Sequence, residues 1–141
     1  MRRDQFYRKE MSIVRSRMTE FIIISIGAII GANLRYWVGD LAAQRFGTAF
    51  PYGNLIINLS GSFILGLFMT LITDRFIVDP YWRLFVAIGI LGSYTTFSLY
   101  TYESVNLMMS GQPLLGLFNL FGSSLLGGVA VFLGILLGRL I

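Results

Sequence analysis

The chain has 141 residues, 55% of them hydrophobic and 13% charged, with a mean hydropathy of +0.72 and a net charge of +4. A soluble domain would carry about 25% charged residues, so composition argues against a water-soluble globule. The chain has neither cysteine nor histidine, which excludes disulfides, thiolate nucleophiles, Ser-His catalysis and most zinc chemistry.

Residues 1–20 form a basic N-terminal extension carrying Arg2, Arg3, Arg8, Lys9, Arg15 and Arg17. Its charges suit a cytoplasmic, lipid-facing leader better than a nucleic-acid arm. The charged stretch is too long for a signal peptide, and no small-residue cleavage site follows. Residues 21–141 are expected to form one membrane domain. Its charge-free intervals are 21–34, 46–73, 84–102 and 104–138. A spanning helix needs about 20 mostly apolar residues, which predicts four spans: Phe21 to Val38, Asn54 to Thr73, Leu84 to Met108 and Leu114 to Leu137. Both termini then share one side.

In the first span, Gly27 and Gly31 stand four apart and suit close helix contact in lipid. Arg35 falls within its nominal length and is expected to snorkel to the interface. The second span repeats the small-residue spacing at Ser62 and Gly66 and adds Asn58, whose face Ser62 shares. That asparagine either bonds across helices or offers its NH₂ to an anion in place of water.

The third span is the informative one, because its centre reads GILGSYTTFSLY. Backbone that leaves the helix at membrane depth is tolerated only where protein or a polar cavity surrounds it. Gly92 is the expected break point, freeing carbonyls for a cation and amides for an anion. Phe97 and Tyr100, three apart, either pack in the core or turn positive ring edges toward an anion. Glu103, near the end of this span, is expected at the interface. The fourth span carries Ser123, Gly127, Gly134 and Gly138 at helix-contact spacing.

Charge-bearing side chains are absent from the interior of these spans, as a proton-coupled transporter would not allow. Phosphate loops, paired carboxylates and catalytic triads are also missing, so no enzyme is expected. The pattern points to passive passage of an ion or small polar solute. A small multidrug exporter is the nearest rival, but its first helix would need an embedded carboxylate. A non-transporting membrane assembly protein would leave Asn58 and the broken span without a purpose.

Three segments in order, GAIIGANLRY at 27–36, GNLIINLSGSFILG at 53–66 and GILGSYTTFSLYTYE at 89–103, resemble the helix patterns of the Fluc (CrcB) fluoride channels. The resemblance runs from about Met18 to Ile141. It implies an all-α membrane protein whose third helix is broken, forming a dimer of oppositely oriented subunits in the bacterial inner membrane. Fluoride would cross near the subunit interface, and a structural sodium ion would lie at the centre. By the same resemblance Asn58, Phe97 and Tyr100 line the fluoride path, with Thr96 and Ser98 in its hydroxyl-bearing stretch and Ser123 on the fourth helix. Carbonyls of Gly92 and Thr95 would hold the sodium ion. This chain departs from the pattern at Tyr100, usually phenylalanine, at Ser93-Tyr94, usually glycine and an apolar residue, and at Asn119, which is tyrosine in some members.

Lysines and arginines fall nine on the side of the termini and two on the other, so the full chain is expected to insert with its termini in the cytoplasm. An antiparallel homodimer needs both orientations. A start at Met18 would leave three against two and permit them; the alternatives are pairing with an oppositely biased paralogue, or dimer formation that overrides the charge count.

Overall fold

The computed structural model describes the backbone of residues 2–76 and 78–141 and the side chains of residues 16–76 and 78–141. The basic side chains from Arg2 to Arg15 therefore lie outside the described residues. Helix α1 runs over Arg2–Phe46, and α2 over Tyr52–Thr70 with a wide π-type turn at Leu71–Arg75. Helix α3 comprises Pro80–Trp82, a π-type stretch at Arg83–Leu91 and the short piece Gly92–Tyr94. Helix α4 is Ser98–Met109, and α5 comprises Pro113–Leu117, Phe118–Gly122 and Ser123–Leu140.

Among the described residues, four helical segments are long and apolar enough to cross a membrane: Ser16–Phe46, Tyr52–Arg75, Pro80–Met109 and Pro113–Leu140. The first outruns the predicted end at Val38, because nothing between Arg35 and Phe46 stops a helix. Gly47, with φ of 76°, ends it in the left-handed conformation that glycine adopts freely. Gly111, with φ of 85°, ends α4 in the same way. Proline at the first helical position starts both α3 and α5, and the Asp79 carboxylate accepts from Tyr81 N–H at 2.8 Å.

Small residues decide which helices touch. A Cβ on Gly27 or Gly31 would stand 2.5 and 2.1 Å from the Phe85 and Ile90 carbonyl oxygens, so α1 lies directly on the backbone of α3. A Cβ on Gly66 would lie 2.4 Å from the Val131 carbonyl oxygen, and one on Gly134 would lie 2.2 Å from that of Phe63, which seats α2 against α5 equally closely. Packing of this kind substitutes in lipid for the hydrophobic effect. Gly127 and Gly128 play no such part: a Cβ on the first would find only Ser62 Oγ at 3.7 Å, and one on the second nothing within 4 Å.

Large apolar side chains point mostly outward. Ile29, Phe132 and Leu125 are exposed, whereas Ile57, Leu91, Tyr94 and Tyr100 are buried. Such an inverted surface suits lipid or another chain. Ile57 on α2 and Leu91 and Tyr94 at the end of α3 are among the buried groups, and polar residues lie beside them.

Candidate functional site

The third span is broken by the second. Gly92 is still helical, with φ −63° and ψ −32°, and the chain first becomes extended at Thr95, with φ −80° and ψ 159°. The break thus lies three residues beyond the glycine expected to make it. Glycine permits a break without compelling one; a competing hydrogen-bond partner compels it. Asn58 Oδ1 accepts from Thr96 N–H at 2.9 Å, while Asn58 Nδ2 donates to the Thr96 carbonyl at 3.0 Å. A side-chain amide has replaced two main-chain partners.

Two carbonyls change role as a result. In a continuous helix Thr96 N–H would return to the Gly92 carbonyl, but Asn58 takes that amide. The extended ψ of Thr95 turns its carbonyl away from α4, whose Leu99 N–H lies 3.4 Å from Thr96 Oγ1 instead. Gly92 and Thr95 are therefore released from helical pairing. Thr95 keeps its own turn closed through N–H and Oγ1, which donate to the Leu91 carbonyl at 3.0 and 2.9 Å.

Two further anchors seat the break. Arg35 has a main-chain partner that its position in the sequence did not reveal. Its guanidinium donates to the Ser93 carbonyl and is half-buried, because the close α1–α3 approach at Gly31 leaves a polar main-chain acceptor within reach. The Tyr94 hydroxyl lies 2.9 Å from Ser60 Oγ on α2. A Cβ on Gly61 would stand 2.3 Å from Thr95 Cγ2, so only glycine admits the break here.

Beside the break runs an open groove of about 360 Å³. Asn58, Gly92, Thr95, Thr96, Phe97, Tyr100 and Ser123 are among the residues that line it. Among the described residues, no charged side chain lines it. Of the residues expected to line the fluoride path or hold the sodium ion, Ser98 alone is not brought here; it opens α4 with an exposed side chain. Phe97 is 78% exposed, and its ring centroid is 6.0 Å from that of Tyr100 at an interplanar angle of 52°.

Tyr100 is buried, and its hydroxyl crosses to α5, donating to the Leu120 carbonyl and lying 2.7 Å from Ser124 Oγ. Ser123 belongs to a buried ladder. Its hydroxyl donates to Asn119 Oδ1 at 3.1 Å, Asn119 Nδ2 donates to Ser104 Oγ at 2.9 Å, and Ser104 donates to the Tyr100 carbonyl at 2.8 Å. Asn119 and Ser104 are fully buried, so this ladder fixes α4 to α5.

A second cavity, about 600 Å³, lies where α1, the start of α2 and α4 meet. Arg35, Asp40, Asn54 and Glu103 are on its wall. Glu103 is half-buried and accepts from Asn54 Nδ2 at 2.6 Å, so it is paired across helices and not simply interfacial. Arg35 lines this cavity while holding the break, which links the two regions. The sequence reading missed Asn54, Ser124 and the partner of Arg35. Asn54 carried a usable signal: it precedes Asn58 by four residues, on the same helix face.

A four-span membrane protein with a neutral polar groove beside a broken helix is built as a conduit for a small ion or solute, not as an enzyme. Residues 22–135 match the family described as CrcB-like protein, Camphor Resistance (CrcB). Relatives called fluoride-specific ion channel FluC are similar over most of the chain. That of Sulfurihydrogenibium sp. is 45% identical over 124 residues, covering 88% of this chain and 100% of the relative. That of Chloroflexus aurantiacus is 48% identical over 122 residues, covering 86% and 97%. That of Koribacter versatilis is 44% identical over 119 residues, covering 84% and 90%. The chain belongs to the CrcB/FluC family of fluoride-specific ion channels, multi-pass proteins of the cell membrane.

Proposed function

We propose that the chain conducts fluoride out of the cytoplasm passively, along the groove beside the α3–α4 break, once a second copy in the opposite orientation covers that groove. One observation carries the reading: Asn58 holds the break open and thereby sets a largely exposed Phe97 ring beside a groove lined by neutral side chains. Fluoride is small and tightly hydrated, so a selective path must replace its water with donors already in place. Asn58 has a second N–H beyond the one given to Thr96. Ring edges of Phe97 and Tyr100 present positive potential without full charge. A fixed lysine would retain the ion, whereas neutral donors let it leave.

The open groove and the exposed Phe97 support a second copy as the missing wall. Among the described residues, the groove is lined by no carboxylate, imidazole or amine that could take up a proton. The released carbonyls of Gly92 and Thr95 are neutral oxygen ligands, the donor type that hard cations prefer. They fit a sodium ion held between two copies, which would supply positive charge and pin the interface.

The test is efflux from liposomes loaded with potassium fluoride, followed with a fluoride electrode after the membrane is made permeable to potassium. Rapid fluoride release without a proton gradient, and little chloride release under the same conditions, is expected. Release that requires a proton gradient would assign the chain to coupled transport. No release from correctly folded protein would remove the channel reading.

A further inference from the structure

The hydroxyls of Tyr100 and Ser124 have three contacts to share between two protons. Tyr100 Oη donates to the Leu120 carbonyl, Ser124 Oγ donates to the same carbonyl at 2.9 Å, and the two hydroxyls are 2.7 Å apart. Each hydroxyl owns one proton and two acceptor lone pairs. Two protons cannot serve three contacts at once, so one contact is always redundant. One proton can be redirected while the hydroxyl pair stays joined.

The direction open to that proton is the groove. Ser124 is exposed, and it lines the groove together with Tyr100, Asn58 and Phe97. Ser123, its neighbour, has its proton committed to Asn119 within the buried ladder. On α5 it is therefore Ser124 whose donor can be turned toward a passing ion. The Leu120 carbonyl loses little by this, since it lies in helical backbone.

We propose that Ser124 is a fluoride-contacting donor of the groove and that Tyr100 is its positioning residue. This rests on the conduction route proposed above. With an anion in the groove, Tyr100 Oη–H donates to Ser124 Oγ and Ser124 Oγ–H donates to the anion. Hydrogen bonds arranged in such a chain strengthen one another. A serine alone keeps its proton on the carbonyl four residues earlier, as serines in helices do. The tyrosine hydroxyl thus converts a back-bonded serine into a donor, which a phenylalanine at position 100 would not do. The selected ion is one small enough to accept a short, strong hydrogen bond, so discrimination against chloride should rise with this pair.

The test compares Y100F, S124A and the double variant with the parent chain in the vesicle assay, reading the fluoride to chloride permeability ratio together with thermal stability in detergent. S124A is expected to lower the ratio about ten-fold, as loss of one hydrogen bond to a charged group does. Y100F should lower it by a similar factor and the double variant by no more than either alone. S124T, which keeps the hydroxyl, should restore most of it. If the variants lose stability while the ratio stays at the parent value, the pair is only a strut between α4 and α5 and the proposal fails. Additive losses would show that Tyr100 does not act through Ser124. A parent chain that passes no fluoride would instead strike at the conduction route itself.

Discussion

Asn58 is the residue on which the break depends, and replacing it gives the sharpest consequence. In Asn58→Leu both groups it satisfies, Thr96 N–H and the Thr96 carbonyl, lose their partners. A fully buried group left unpaired costs about 1–3 kcal/mol; Thr96 is half-buried, so the low end applies and the broken conformation is destabilised by about 2 kcal/mol. The alternative is close at hand: Thr96 N–H can rejoin the Gly92 carbonyl and continue the helix. At about 1.4 kcal/mol per factor of ten, the broken form should fall at least ten-fold in population. Asn58→Asp is the companion variant. It retains an acceptor for Thr96 N–H but sets a second oxygen against the Thr96 carbonyl and places negative charge beside the groove. Both variants should reduce fluoride efflux from vesicles to the level of empty liposomes. The leucine variant should also slow amide hydrogen exchange at Thr96, because that amide moves from a side-chain partner into a helix. Parent-like efflux with Asn58→Leu would refute the anchoring of the break, and parent-like efflux with Asn58→Asp would refute the siting of the path beside Asn58.

Phe97→Ile keeps an apolar side chain but removes the ring edge from an exposed position, so efflux should fall severely while thermal stability changes by less than about 1 kcal/mol; a matched loss of stability would mean that the ring is needed for assembly. Arg35→Gln removes a charge-assisted bond to the Ser93 carbonyl worth about 1.5–3 kcal/mol. Its melting temperature should drop and its efflux should slow, whereas unchanged values for both would show that the contact holds nothing.

Much of the fold was legible because the bilayer enforces it. Long charge-free intervals had to become helices, and Gly27, Gly31, Gly66 and Gly134 had to mark the close approaches, since no other residue admits a neighbouring backbone at those distances. The break was legible only approximately. Gly92 announced a weak point, but the break's position is set by a side chain 38 residues away in sequence, and local propensity carries no information about that distance. The partner of Arg35 was hidden for a similar reason: the Ser93 carbonyl is 58 residues away in sequence, and only the close approach of α1 to α3 brings it within reach. Ser124 and Tyr100 were separated by helix and loop, and only their meeting across α4 and α5 exposes the shared protons. The proposed sodium site gains its physical basis from the same displaced bond, because taking the Thr96 amide is what frees the Gly92 carbonyl.

Orientation offers a test that the composition makes unusually clean. The chain lacks cysteine, so a single cysteine introduced after Ile141 reports the side of the C-terminus through its reaction with a membrane-impermeant maleimide. Nine basic residues on the side of the termini against two on the other should fix the full chain with its termini inside. Cells producing it should then leave the cysteine unlabelled until they are permeabilised. Begun at Met18, the chain retains three against two, and roughly comparable labelled and protected fractions should appear. An antiparallel pair of identical chains can assemble only from such a mixture, so fluoride efflux should follow the shorter form, or the full chain when co-produced with a partner of opposite bias. Full-length protein that is wholly protected from labelling, expressed without any partner, and still conducts fluoride would rule out pairing in opposite orientations.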